Sequence, residues 1–187
     1  MKCSVFIATS IDGYIANEND AVDWLYDAGD TSVDMGDQAD MGFNKYMASV
    51  DCMIMGRISM QALSAFNLTE EQWPYSGKRI IVLSNTLNSA PDNLKDKVEM
   101  YSGDIQALLS TLENEGHKHA YIDGGVIITN FLNEQLINEI TITTAPLLLG
   151  QGKALFGYLS KTIKLDNTQV HAYPNGFTQS TYQVRYD

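Results

Sequence analysis

The sequence predicts an α/β fold on a mostly parallel central sheet, with helices on both faces and a C-terminal antiparallel hairpin. Three observations carry that expectation. Short strand-like runs alternate with helix-spaced runs along most of the chain, as in successive β-α-β units. The tail reads as two long alternating strands around Pro174-Asn175-Gly176, a hairpin signal. And 44% of the 187 residues are hydrophobic, enough for one domain over residues 1–187 with a substantial core.

The elements follow in order. Lys2–Thr9 is a first strand, and Ser10-Ile11-Asp12-Gly13 is a turn, because Asp-Gly tolerates positive φ. Residues 17–38 are acidic, rich in Asp, Gly and Ser and poor in periodicity, so they read as loop. Ala39, Phe43, Met47 and Val50 form one stripe, which predicts a helix over 39–50 with Asp37 as N-cap and Asp40 three residues in. Residues 51–56 are a buried-strand run that breaks into a short helix over 59–66. Residues 79–84 and 98–101 are strands, and Asp104 caps an amphipathic helix reaching Gly116. Residues 120–122 form a strand closed by Gly124-Gly125, which opens a helix to about Asn133. Residues 139–144, 163–173 and 177–186 are the last strands.

The formal charge is −11, and it is unevenly placed. Nine acids lie between Lys2 and Lys45 with no Lys or Arg among them, while the remainder is close to neutral. That balance argues against broad electrostatic attraction to nucleic acid or an anionic membrane, so neither is an expected partner. No apolar run approaches the roughly 18 residues of a spanning helix, and no secretory leader is evident, which predicts a cytoplasmic protein. Cys3 and Cys52 sit in apolar strand-like stretches and read as buried reduced thiols. His117, His119 and His171 form no ligand set, so no metal is expected.

Open parallel sheets bind ligands at the carboxyl ends of their strands. Three such ends carry suggestive residues: Met55-Gly56-Arg57-Ile58-Ser59, Leu83-Ser84-Asn85-Thr86, and Asp123-Gly124-Gly125. Arg57 can fork onto a phosphate, Ser59 can donate beside a helix N-terminus, and Gly-Gly admits a pyrophosphate-sized group. Glycine and serine are common in such turns for backbone reasons alone. Three ends together point to a dinucleotide. No G-x-G-x-x-G, G-x-x-x-x-G-K-[ST] or G-x-S-x-G occurs, which sets aside the Rossmann fingerprint, P-loop hydrolysis and serine-hydrolase chemistry.

Longer motifs then carry a resemblance. They are Ser10-Ile11-Asp12-Gly13-Tyr14-Ile15-Ala16, Val22-Asp23-Trp24-Leu25, Met55-Gly56-Arg57, Ile81-Val82-Leu83-Ser84 and Ile122-Asp123-Gly124-Gly125. Phe131-Leu132, Asn138-Glu139-Ile140, Pro146-Leu147-Leu148-Leu149-Gly150-Gln151-Gly152 and Leu155-Phe156 continue the series. In this order they resemble the dihydrofolate reductase-like superfamily, and within it the C-terminal reductase domain of RibD. The resemblance covers nearly the whole chain and implies a three-layer dihydrofolate reductase-like fold that binds NADPH. It places Gly56, Arg57, Ile58 and Ser59 at the adenosine phosphates, and Leu83, Ser84, Asn85 and Thr86 on the adenosine side. It places Gly124, Gly125, Val126 and Ile127 at the pyrophosphate turn, and Ala8, Ile15 and Ala16 against the nicotinamide. Val126 stands where these reductases often carry a basic residue, so recognition of the 2′-phosphate rests on Arg57, with Ser84 and Thr86 assisting. NADH stays open as the cofactor.

On the substrate side the resemblance puts Asp40 at the carboxylate that grips a pteridine ring, where burial would raise its pKa. The alternative is that Asp40 merely favours a helix N-terminus. Trp24 is a candidate cap over the nicotinamide pocket, or else a loop Trp packed on the core. Lys153 meets a substrate phosphate or is solvated. The activity implied is NADPH-dependent reduction of a small pyrimidine- or pterin-like heterocycle, resembling 5-amino-6-(5-phosphoribosylamino)uracil reductase of riboflavin biosynthesis. Two alternatives stand beside it: a folate reductase, against which Asn44 replaces the family aromatic, and an NADP(H)-binding protein without turnover. No H-x-E…P-C-x-x-C deaminase signature is present. The resemblance also implies a homodimer, through strands around residues 141–149. A strongly anionic substrate under the acidic loop is disfavoured unless Lys153 or Lys45 compensates.

Overall fold

A computed structural model describes residues 1–186. Six strands run parallel in the order β5 (Glu99–Tyr101), β4 (Arg79–Leu83), β3 (Cys52–Gly56), β6 (His119–Asp123), β1 (Lys2–Thr9) and β7 (Glu139–Thr144). The hairpin of β9 (Lys164–Ala172) and β10 (Thr178–Arg185) joins antiparallel to β7, with β10 inside and β9 at the edge. The sheet is the mostly parallel one the sequence predicts. Because β7 has a neighbour on each side, residues 141–144 are sheet interior and offer no free edge for a second chain.

Two apolar layers follow from the period-2 alternation of the buried strands. On one face Cys3, Val5, Cys52, Ile54, Ile81, Ala120 and Ile122 pack against α3 (Ile105–Asn114) and α4 (Gly125–Asn133). On the other, Met53, Met55, Ile80, Val82 and Tyr121 pack against α1 (Phe43–Ser49) and α2 (Arg57–Ala65). Phe131, Ile128, Leu112 and Met60 are fully buried, each contributing roughly 1.5–3 kcal/mol of transfer free energy. Cys3 and Cys52 are buried as expected, and burial pushes their thiols up to about 12 and about 11. Among the described residues no helix is long and apolar enough to cross a membrane.

Several boundaries differ from expectation, each for a local reason. The helix expected over 39–50 begins only at Phe43, because Met41 and Gly42 take positive φ of 48° and 84°. Asp37 lies in a one-turn 3-10 segment, Gly36–Gln38, and caps nothing. Asp51 stands outside β3 and accepts hydrogen bonds from the N–H groups of Lys118 and His119 at 2.6 and 2.8 Å. Those bonds, the Lys118 one foremost, hold its carboxyl below the usual range. α2 starts at Arg57, directly from Gly56, two residues before the expected Ser59. A small ladder, β2 (Tyr14–Ala16) with β8 (Lys153–Ala154), was not expected at all.

The acidic stretch between Ala16 and Phe43 is irregular, as expected, but its acids are not idle. Asp30 accepts from the Ser32 N–H at 2.9 Å, Asp34 from the Gly36 N–H at 2.9 Å, and Asp40 from Gly42 and Asn44. Asp12, in the turn after β1, accepts from Leu149 and Gly150 at 3.1 and 2.7 Å. Without a ladder, loop N–H groups need side-chain acceptors, and short carboxylates supply them.

Candidate functional site

A cavity of about 840 Å³ opens across the carboxyl ends of the central strands. It collects Ala8, Ile15, Ala16, Gly56, Arg57, Ile58, Ser59, Leu83, Ser84, Asn85, Thr86, Gly124, Gly125, Val126, Ile127 and Asp40 in one lining. Four of these segments, after β1, β3, β4 and β6, converge because each leaves the same end of a parallel sheet, and Asp40 joins them from the loop before α1.

At one end, β3 and β6 feed directly into α2 and α4. The N-caps of these helices are Gly56 and Gly124, and neither offers a side-chain acceptor to the first N–H groups of its helix. Glycine is required here by close approach. A Cβ on Gly124, whose φ is +91°, would lie 2.7 Å from Ser59 Oγ, and one on Gly125 would lie 2.7 Å from the Ala154 carbonyl oxygen. Arg57 donates from Nη1 to Gln61 Oε1 at 2.9 Å, a neutral partner that leaves the guanidinium charge uncompensated. After β4, Ser84 Oγ accepts from the N–H groups of Thr86 and Leu87 at 3.2 and 2.9 Å, which shapes the turn. Val126 is 73% exposed and contributes no charge. Two uncapped helix N-termini, one free guanidinium and a glycine-tightened turn suit the phosphates of a dinucleotide. The fit with NADPH is good: Arg57, Ser59 and the opening N–H groups of α2 and α4 would hold the phosphates, with residues 83–86 beside the adenosine.

The other end is apolar, walled by Phe6, Phe43, Met53, Met55, Leu63 and Phe177. Its polar groups are Tyr75, Tyr121, Thr143, Asp20, Asp40 and Lys153, while Asp123 lies between the two ends, accepting from Ser59 and the Gly124 N–H. Asp123, at the end of β6, carries a pKa raised by burial, which the hydroxyls of Ser59 and Tyr121 oppose only in part. Tyr121 donates its proton to the Phe6 carbonyl at 2.9 Å and stands 3.4 Å from Asp123 Oδ1. One hydroxyl proton cannot serve both acceptors, and the shorter bond, to Phe6, takes it. Sequence reasoning noted Asp123 only as part of a turn. The available signal was a single acid set between a buried strand and Gly-Gly.

Asp40 lines this end but is spent locally. Its Oδ1 accepts from Gly42 N–H at 3.0 Å and Oδ2 from Asn44 N–H at 2.9 Å. These bonds, the Asn44 one foremost, lower its pKa, opposite to the rise expected of a buried carboxylate. The helix-terminus alternative is the one the geometry matches. Trp24 does not reach the cavity. It packs with Leu25, Ala28, Met41, Ala145, Leu147, Tyr173 and Phe177, and its indole N–H is buried without an acceptor. Lys153 lines the cavity mouth with its side chain 48% exposed, and its Nζ lies 3.7 Å from Asp20 Oδ1, a surface ion pair.

The sheet order, the terminal hairpin and a cavity across the strand ends together define a dihydrofolate reductase-like protein. Residues 2–178 match the RibD C-terminal domain, and the chain belongs to that family. The uncharacterized protein YwjB of Bacillus subtilis is 29% identical over 166 residues, covering 88% of this chain and 87% of YwjB. A crystal structure of a candidate riboflavin biosynthesis protein from Shewanella sp. PV-4 superposes with a TM-score of 0.87 at 38% identity over 100% of both chains. Dihydrofolate reductase from Enterococcus faecalis, complexed with NADP(H), superposes with a TM-score of 0.64, covering 99% of this chain and 97% of that one. At 13% identity that last likeness is one of fold.

Proposed function

We propose that the protein is an NADPH-dependent reductase of a small pyrimidine- or pterin-like heterocycle. One observation carries the reading most: a single cavity joins two uncapped helix N-termini and the Arg57 guanidinium to an apolar chamber, with a buried carboxyl between them. The first half suits a phosphorylated cofactor and the second a flat ring. When bound, the reduced nicotinamide supplies a hydride. The protein's own part is position, water exclusion and one proton. Ala8, Ile15 and Ala16 line the cavity, and Asp123, whose pKa burial raises, is the candidate proton donor. A 2′-phosphate gains from Arg57, which supports NADPH over NADH.

Among the family's activities the reduction of an aminouracil suits this chamber better than reduction of a folate. A folate reductase needs its helix carboxylate turned to the ring, whereas Asp40 spends both oxygens on Gly42 and Asn44. Titrating NADPH into the purified protein and following tryptophan fluorescence tests the reading. Saturable binding in the micromolar range is expected, and no saturation below millimolar overturns it. NADPH oxidation with a panel of pterins and aminouracils then identifies the ring.

A further inference from the structure

Strand β10 sets Gln179 directly across from Thr143 of β7, and Thr143 pairs on its other side with Ala8 of β1, which lines the cavity. Gln179 Nε2 donates to the Met41 carbonyl at 2.9 Å and to Thr143 Oγ1 at 2.8 Å, which uses both amide protons. The orientation of the amide is fixed, because a carbonyl only accepts and the nitrogen must face Met41. On its far side Gln179 Oε1 accepts from the Tyr173 hydroxyl at 3.3 Å. Thr143 is 4% exposed and lines the apolar chamber. Its hydroxyl oxygen takes the Gln179 proton, and among the described residues its own proton has no acceptor. Thr141, two residues earlier on the same face of β7, shares its hydroxyl bond with Thr181 at 2.9 Å instead.

We propose that Gln179 is a positioning residue that holds the Thr143 hydroxyl as a donor into the chamber, so that the site selects a ring edge presenting an acceptor, a carbonyl oxygen or an unprotonated ring nitrogen. For the presence of a flat ring this rests on the reductase reading, whereas the polarity comes from the hydrogen bonds themselves. An acceptor at this point completes the set around Oγ1. An amino group would meet the remaining lone pair and leave the hydroxyl proton buried without a partner, which costs about tenfold in affinity. Tyr75 also lines the chamber with a hydroxyl that bonds to no described residue, but nothing fixes its direction, so it serves either edge. Asp40 offers the chamber an acceptor of its own, so the share carried by Thr143 is read from the change on its removal.

Calorimetry on the full chain, with saturating NADP⁺ and again without it, compares pteridine-2,4-dione with 2,4-diaminopteridine, two rings that differ in carbonyl against amino groups. The dione is expected to bind at least about threefold tighter. Thr143→Val is expected to weaken the dione at least about fivefold and the diamine less than about twofold, and Thr143→Ser to keep the wild-type preference within about twofold. Gln179→Met, which fills similar volume but donates nothing, lets the hydroxyl turn and is expected to shrink the preference at least about threefold. A purely structural role would move both ligands alike. A wild-type preference under about threefold, equal losses of both rings in Thr143→Val, an unchanged preference in Gln179→Met, or binding of neither ring overturns the proposal. Failure to bind NADPH sinks the reductase reading and leaves the preference measurable on the cofactor-free chain, whereas a missing preference with NADPH binding intact sinks this proposal alone.

Discussion

The carboxylate of Asp40 accepts the backbone N–H of Asn44 at 2.9 Å, which makes it the acceptor that starts α1. Its pKa is thereby lowered and its carboxylate is turned toward its own helix.

Replacing it separates the two roles. Asp40→Ala is expected to lower stability by about 1 kcal/mol, the usual cost of losing a helix-terminus acceptor, with NADPH affinity within about twofold. Its depressed pKa gives a sign: the contribution is present above the unfolded-state pKa and is lost as pH falls through the lower folded one. Thermal melts of wild type and variant should therefore converge toward acid. A variant that melts like wild type at neutral pH but fails to turn over would return Asp40 to the chemistry.

Asp123 titrates the other way. Its folded pKa is raised above the ordinary 3.8, so its stabilising contribution is complete below that value and fades as pH rises through the folded pKa. The stability of wild type relative to Asp123→Asn is expected to decline over that interval, read by melts from acid to neutral pH. The same variant is expected to lose at least about tenfold in kcat with NADPH affinity little changed, in line with one lost proton donor.

Arg57→Ala tests the cofactor end. Loss of an uncompensated guanidinium should weaken NADPH about tenfold and NADH only a few-fold, by fluorescence titration. Equal losses for both cofactors would remove Arg57 from the 2′-phosphate.

Gly125→Ala tests the turn. The added Cβ would lie 2.7 Å from the Ala154 carbonyl oxygen and 2.9 Å from that of Leu155, both backbone atoms that cannot swing aside. The expected cost is about 1–3 kcal/mol by denaturant melt, together with weaker NADPH binding because α4 is pushed from the cavity.

Much of the fold was legible in the chain because it is written in local pattern. The alternation in β3, with Cys52 and Ile54 to one side and Met53 and Met55 to the other, already implies a sheet buried on both faces. The strand ends at Gly56, Leu83 and Gly124 were legible too, since a parallel sheet delivers such ends to one edge. The start of α1 was not. The stripe from Ala39 to Val50 carries the right period, but the left-handed backbone at Met41 and Gly42 stops it.

What the sequence determined by itself was the layered α/β architecture, the strand ends that line the cavity and an N-terminal excess of negative charge. Only the tertiary structure decided what each charge does. Asp12 answers Gly150 and Asp20 answers Lys153, partners more than a hundred residues apart. Asp123 is set apart from its neighbours by burial alone. A carboxylate's role is set by its solvent and its partners, and neither has a period that composition or spacing can reveal.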